Sequence, residues 1–390
     1  MASSSDPARQ LDLLRSAEGR ELLDELSGRH RIGAADELGL GERLRSRYPA
    51  DLVAGALAQH DLRVRARAKF TRADRMLFTR DGLEQASAEP VARHRAGRYA
   101  GFDRVADLCT GIGGDLLALA PGRSMLAIDL DQVHLRMALE NASAYGAAEL
   151  SAARADVRDL RLAAMPPVFV DPARRTGDRR LAAGASEPPL GWCLALADHV
   201  AAVGIKAAPG LRLDLVPPGW EVELIADRRD LKEAVLWSPA LATTPRRATV
   251  LPAGDTLVAA PGAALPCAEP GAYLLDPNPA VTRAGLVEEL GRALGAWKID
   301  ARVGFLSADR PLGTPFGRPL VIEDSLPWNL KRLRALLRAR GAGAVEIRKR
   351  GSAVDVDDLR RRLQLNGDRQ VTVVLTRVLD RPWTLVCRDP

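Results

Sequence analysis

Asp107-Leu108-Cys109-Thr110-Gly111-Ile112-Gly113-Gly114-Asp115 joins a short apolar run, Val105-Ala106-Asp107-Leu108, to a helical pattern that begins at Leu116-Leu117-Ala118-Leu119. A strand that feeds a glycine-dense turn and then a helix prepares a ligand crevice. Glycines let the backbone approach a ligand closely, and the helix start offers unpaired N–H groups. In an open α/β sheet such a crevice sits at the carboxyl end of the strand. A dinucleotide fingerprint would place a further glycine at position 116, where the sequence has leucine, so a pyrophosphate lacks the room it needs.

Outward from this stretch, more apolar runs alternate with helical patterns. They are Met125-Leu126-Ala127-Ile128-Asp129, residues 150 to 156, Val168-Phe169-Val170-Asp171 and Val203-Gly204-Ile205-Lys206. Such alternation predicts an α/β fold with a parallel sheet covered on both faces. Further strand candidates are Val222-Glu223-Leu224-Ile225, Val235-Leu236-Trp237 and Ala248-Thr249-Val250-Leu251. Residues 11 to 95 carry Leu and Ala at helical spacing, and residues 259 to 271, rich in Pro, Ala and Gly, read as a linker. The expected domains are therefore a helical one over residues 1–95, the α/β domain over 96–260 and an α+β domain over 271–390.

Asp129 closes the second run, where an acid accepts both hydroxyls of a ribose, while Asp131 reads as the cap of the next helix. The fourth run ends in Asp171-Pro172-Ala173-Arg174-Arg175. Proline after the acid fixes the turn and removes a donor, leaving the Asp171 carboxylate and nearby carbonyls as acceptors suited to an amino group. Arg174 can stack on a base or bind phosphate; solvated arginines beside a turn-capping acid are the plainer alternative. Lys206, at the end of the fifth run, could touch substrate, but a surface lysine at a strand end is the plainer reading. Chemistry at a pyrimidine carbon would need a positioned thiol, and neither Cys109, in the glycine loop, nor Cys193, in a helical pattern, suits that role.

With 390 residues, 47% hydrophobic and 27% charged, the chain suits two or three folded domains and not wholesale disorder. Aromatic residues are only 4%, which argues against a surface that grips single strands mainly by base stacking. The net charge of +6 admits an anionic partner, although an Arg-rich proteome gives the same balance. The four cysteines lack paired spacing and the five histidines show no ligand cluster, so neither a metal nor a disulfide is expected. The start, Met1-Ala2-Ser3-Ser4-Ser5-Asp6, lacks a basic and apolar leader, and no apolar run reaches the roughly 18 residues of a membrane span. A soluble, cytoplasmic protein is the expectation.

From Phe78 to about Gly146 the chain resembles the trimethylguanosine synthase branch of the class I methyltransferases. The matching pieces are Leu77-Phe78-Thr79-Arg80 with the segment from Ser87 to His94, Asp107 to Gly114, Ala127-Ile128-Asp129-Leu130-Asp131, and Asn141-Ala142-Ser143-Ala144-Tyr145-Gly146. The resemblance implies a Rossmann-like, mostly parallel seven-stranded sheet with S-adenosylmethionine as methyl donor. It implies that Asp107 orients the methionine ammonium, Gly111 and Gly113 make space in the loop that holds Cys109, Asp156 receives the adenine amino group, and the segment around Ser87 folds over the cofactor. Asp171-Pro172-Ala173-Arg174 resembles the acid-Pro-Pro-aromatic signature of amino methyltransferases, with Ala173 for the second proline and Arg174 for the aromatic. The cap enzymes' tryptophan is missing, so a cap substrate is not implied.

Tyr273-Leu274-Leu275-Asp276-Pro277-Asn278-Pro279-Ala280 through Arg348-Lys349-Arg350-Gly351 resembles bacterial methyltransferases with a C-terminal THUMP-like domain. That likeness suggests RNA, tRNA or rRNA, as partner. The basic run from Lys331 to Arg340 and Arg360-Arg361-Arg362 fits this, and fits a solvated helix face equally. The expected activity is methylation of an exocyclic base nitrogen in RNA, guanine N2 ahead of adenine N6, with Asp171, Pro172 and Arg174 at the transfer site. The alternatives are a methyltransferase for a small molecule or a protein, or a non-catalytic RNA-binding protein that keeps the cofactor as a structural ligand.

Overall fold

The computed structural model describes residues 6–29, 34–173, 175–176, 179–180 and 186–390. The chain forms two compact units, Met1–Trp220 with Val235–Ala242, and Glu221–Ala234 with Thr243–Pro390.

The first unit opens with helices α1 (Pro7–Arg15), α2 (Ala17–Leu26), α3 (Ala34–Arg45) and α4 (Ala50–Ala66), then α5 (Arg80–Gln85) and α6 (Glu89–Ala96). Asp6 and Ser16 cap α1 and α2 by accepting from Ala8 N–H and Gly19 N–H, which satisfies donors that a helix start leaves unpaired. The sheet strands are β1 (Arg104–Leu108), β2 (Ser124–Asp129), β3 (Glu149–Arg154), β4 (Val168–Val170) and β5 (Val203–Ala207). They lie in the order β5-β4-β1-β2-β3, all parallel. β1 and β4 are central, hence their continuous apolar runs: a parallel strand covered on both faces has no polar side to show. Between strands run α7 (Leu116–Leu119), α8 (Gln132–Ala144) and α9 (Leu190–Ala195). Asp131 caps α8 by accepting from Val133 and His134, as its position in the sequence predicts.

The helical lead-in shares its core with the sheet's cover. Leu11, Leu22, Leu52 and Phe70 pack in one buried cluster with Ile112 of the glycine loop and Met137 of α8. Arg15 pairs with Glu140 at 2.6 Å, and Arg136 with Asp12, so α1 is tied to α8 by charge as well as by burial.

β6 (Glu221–Asp227) and β7 (Asp230–Trp237) form a hairpin whose turn holds Arg228 at φ 53°. The first five residues of β7 belong to the second unit, and its last three lie beside β5 in the first. In the second unit the order continues β7-β6-β8-β9, with β8 (Arg246–Leu251) parallel to β6 and β9 (Asp255–Val258) antiparallel to β8. Residues 259–271 then carry no helix or strand beyond an isolated bridge at Cys267.

The rest of the second unit is a seven-stranded sheet with helices. Its elements are β10 (Tyr273–Pro277), α10 (Pro279–Ala284), α11 (Val287–Leu294), β11 (Trp297–Lys298), β12 (Leu306–Ala308), β13 (Gly317–Pro327), α12 (Leu330–Ala339), β14 (Ala342–Lys349), α13 (Val356–Leu363), β15 (Arg369–Val378) and β16 (Arg381–Arg388). The strand order is β11-β12-β10-β13-β16-β15-β14. Only β14 and β15 pair in parallel; their crossover is α13, whose Leu359 and Leu363 are buried with Leu333 and Leu337 of α12. Among the described residues no helix is long and apolar enough to cross a membrane.

Candidate functional site

β1 delivers the chain into a loop with three left-handed residues: Cys109 at φ 60°, Gly111 at 54° and Gly113 at 84°. Side chains fix its shape. Thr110 Oγ1 donates to Asp107 O at 2.8 Å and accepts from Ile128 N–H at 3.1 Å, and Gly111 N–H donates to Asp129 Oδ2 at 2.7 Å. The two glycines serve different ends. A Cβ on Gly111 would meet nothing within 4 Å, whereas one on Gly113 would lie 3.0 Å from Ala138 Cα of α8. Gly111 keeps space open, and Gly113 lets α8 close on the loop.

The loop is one wall of a cavity of about 400 Å³, a size that suits a nucleoside-like ligand. Cys109, Gly111 and Asp129 line it, with Asp171, Pro172 and Lys206 opposite and Gly82 to Ala86 as a third wall. That third wall is held in place by amide side chains that imitate strand pairing. Gln59 bonds Phe78 both ways, at 2.5 and 3.0 Å, and Asn141 bonds Leu77 both ways, at 2.7 and 3.0 Å, while also donating to Ile112 O. Lys69 Nζ then donates to the carbonyls of Leu83, Glu84 and Ala86. Ser87 does not line the cavity; its hydroxyl faces Asp115 at 3.5 Å.

Asp107 is 1% exposed, and neither of its carboxylate oxygens has a hydrogen-bond partner among the described residues. Burial raises its pKa well above the usual aspartate range, and the charges of Asp115, Asp171 and Asp129 push the same way. Four carboxylates thus crowd one region, against Arg95, which pairs with Asp115 in the interior, and Lys206. An excess of buried acid favours a cationic ligand.

Asp129 is more committed, its other oxygen accepting from Asp131 N–H at 2.8 Å. Asp156 lies outside the cavity lining and is clasped by Arg158 at 2.5 Å, whose hydrogen bonds hold its pKa down to about 2. Asp171 pairs through Oδ2 with Lys206 Nζ at 2.6 Å. Burial raises the Asp171 pKa, and the ammonium of Lys206 opposes it.

Lys206 corrects a sequence expectation. It is 7% exposed and faces the cavity, because the alternation of β5 turns it inward, where Asp171 offsets its charge. The Cys109 thiol is pushed up by burial, and Cys193, fully buried, to about 12, so neither is a ready nucleophile. Ala173 exchanges 2.8 Å backbone bonds with Glu187, and Arg174 lies outside the described residues.

Sequence reasoning missed the Gly82–Ala86 wall, His134 and Arg95. His134, in the first turn of α8, lines the cavity and bonds Thr79 Oγ1 at 2.8 Å. Its place just past the Asp131 cap was a readable signal, since the turn after the second strand faces the crevice. Arg95 carried no such signal.

The family described as THUMP domain-like matches residues 317–389, and a domain family of unknown function matches residues 7–66. Two relatives from Mycobacterium tuberculosis, strains CDC 1551 and H37Rv, are uncharacterized S-adenosylmethionine-dependent methyltransferases. Each is 39% identical over 330 residues, covering 80% of this chain and 88% of the relative. A solved structure from Porphyromonas gingivalis W83, of a protein proposed to be a methyltransferase, shares the fold. It superposes with a TM-score of 0.76 at 19% identity, covering 98% of this chain and 99% of the other. With a glycine loop, a buried acid that no described residue partners and this identity across four fifths of its length, the chain belongs to the S-adenosylmethionine-dependent methyltransferases.

Proposed function

We propose that this methyltransferase modifies an exocyclic base nitrogen in cytoplasmic RNA, tRNA or rRNA, with guanine N2 ahead of adenine N6. The observation that carries the reading is the Asp171–Lys206 pair, which opens on the same cavity as Gly111 and Asp129. Bound S-adenosylmethionine supplies an electrophilic methyl carbon. Asp107 receives the methionine ammonium, Asp129 the ribose hydroxyls, and Asp156 the adenine amino group through lone pairs that Arg158 leaves. Cys109, Gly111 and Gly113 shape the loop, and Ser87 anchors the covering segment against Asp115.

Asp171 Oδ2 is engaged by Lys206, which leaves Oδ1 to accept an N–H of the substrate amine. The ammonium of Lys206 opposes the rise that burial gives the Asp171 pKa and so favours the carboxylate, the form that accepts. Held in line, an amine needs little more than orientation, and the N–H proton it sheds on methylation passes to the Asp171 carboxylate that accepts it and on to solvent. Pro172 fixes the turn that presents the acid, and Arg174 holds the polynucleotide backbone.

RNA, in preference to a small molecule or a protein, is supported by the THUMP-like match over residues 317–389 and by α12, where Lys331 and Arg332 are exposed. Part of the basic excess is spent internally: Arg340 pairs with Glu323 and Asp324, and Arg361 and Arg362 with Asp358.

The test is methyl transfer from labelled cofactor to total RNA of a deletion strain, followed by mass spectrometry of nucleosides. Asp171→Asn is expected to abolish transfer while cofactor affinity stays within about threefold. Cofactor binding without label in RNA would refute the RNA reading; label on adenine would move the target to N6.

A further inference from the structure

The second unit contains a cavity of about 580 Å³ that the methyl-transfer site does not use. On its wall is Asp276, the penultimate residue of β10, only 5% exposed. Three guanidinium groups converge on this one carboxylate. Arg348 Nη1 lies 2.5 Å from Oδ2, Arg229 Nη2 3.2 Å from Oδ2, and Arg350 Nη2 and Nε lie 2.9 and 3.1 Å from Oδ1. Lys349 lines the same cavity from an exposed position, where one of its three ammonium protons goes to Val354 O at 3.1 Å. Glu346 also lines it and binds Arg348 at 2.7 Å, but shares its charge with Arg318.

The lining therefore sets Arg229, Arg348, Lys349 and Arg350 against Asp276 and Glu346, an excess of two positive charges. A purely structural ion network tends to neutrality, because uncompensated charge out of water is costly. Here burial lowers the pKa of Arg229, and the charges of Arg348, Arg318 and Arg350 lower it further, against the pull of Asp276. The excess is also preorganised. Arg350 is held by Asp276, by Pro277 O at 3.0 Å and by the Phe305 ring, 5.4 Å from its guanidinium carbon. Among the described residues Arg229 donates through Nη2 alone, which leaves its Nη1 and Nε, with Nη1 of Arg350, to a tetrahedral anion.

We propose that this cavity binds a phosphate group, gripped by Arg229, Lys349 and Arg350 while Asp276 fixes the geometry of the arginines. The phosphate belongs to an RNA backbone or to a free nucleotide. The proposal stands whatever the first unit methylates.

Calorimetric titration of the full chain tests it with three probes: inorganic phosphate, adenosine 5′-monophosphate, and a short single-stranded oligoribonucleotide without terminal phosphate. Arg229→Gln and Lys349→Gln alter exposed or half-exposed side chains, and unchanged cofactor affinity and melting midpoint show that both variants fold. Each is expected to weaken the tightest probe about tenfold, and for the oligonucleotide to lower the slope of log K against log salt by about one. Tight oligonucleotide binding with weak mononucleotide binding identifies the backbone as the source; the reverse identifies a free nucleotide. The proposal is overturned if no probe binds at millimolar concentration, or if both variants bind every probe as the wild type does. Neither failure touches the methyl-transfer reading, which is tested by label in RNA.

Discussion

Asp107→Asn probes the buried acid beneath the glycine loop. Both carboxylate oxygens lack donors among the described residues, and the side chain is 1% exposed. Burial first, then the charges of Asp115, Asp171 and Asp129, keep its proton on to higher pH than usual. An ammonium docked on Asp107 requires the carboxylate form, so cofactor binding should release a proton, and affinity should rise with pH until the ligand-free pKa is passed. A charge-assisted hydrogen bond is worth about 1.5–3 kcal/mol net. Its loss in Asp107→Asn should weaken cofactor binding roughly 10- to 150-fold.

Stability should move the other way. An acid whose folded pKa lies above its unfolded value binds more protons when folded, so its contribution is lost as pH rises from the unfolded value through the folded one. Removing the charge should leave the ligand-free variant at least as stable as the wild type at neutral pH. Calorimetry in two buffers of different ionisation enthalpy reads the proton release, and thermal unfolding reads the stability. Wild-type affinity in Asp107→Asn, with no proton released on binding to the native protein, would refute the reasoning.

Gly113→Ala forces a side chain to φ 84° against Ala138 and should destabilise by about 2 kcal/mol or more in urea unfolding, whereas Gly111→Ala should cost about 1 kcal/mol and instead weaken cofactor binding. Arg95→Met strips a partner from Asp115, the two side chains being 1% and 7% exposed, and should cost about 3–5 kcal/mol by the same assay. Lys206→Met should lower the single-turnover methyl-transfer rate about a hundredfold and shift its acid limb to higher pH, because Asp171 loses the charge that opposes its protonation; cofactor affinity should stay within about threefold.

Much of this arrangement was legible in the sequence because it rests on local signals. Central parallel strands show as apolar runs, the glycine loop shows between strand and helix, and Asp131 shows as a cap. What escaped depends on contacts between distant positions. Arg93 and Arg95 sit two residues apart on α6, the first side chain 62% exposed and the second 1%; spacing from Val91 and Ala92 puts Arg95 on the buried face but names no partner for it, and Asp115 lies 20 positions on. Lys206 reads as a surface residue until Asp171, 35 positions earlier, is found 2.6 Å away. The wall from Gly82 to Ala86 is built by the Gln59 and Asn141 amides and by Lys69, three residues whose types name no partner.

The strand-end acids show why a motif locates a site without assigning its chemistry. In the sequence Asp107, Asp129, Asp156 and Asp171 look alike, each at or one residue before the end of an apolar run. In the fold their surroundings make them four different reagents. Asp107 is buried, neither oxygen has a hydrogen-bond partner among the described residues, and burial raises its pKa. Asp129 holds two backbone N–H groups and shapes the loop from the cavity's edge. Asp156 is clamped by arginine and stays ionised to about pH 2. Asp171 combines a place on the cavity wall with a counter-charge that opposes the rise its burial causes. If substrate selection lies with Asp171 and cofactor affinity with Asp107, substitution at one should leave the other's property nearly intact. The double variant should nonetheless depart from additivity, since the Asp171 charge raises the Asp107 pKa and both acids feel Asp115 and Arg95.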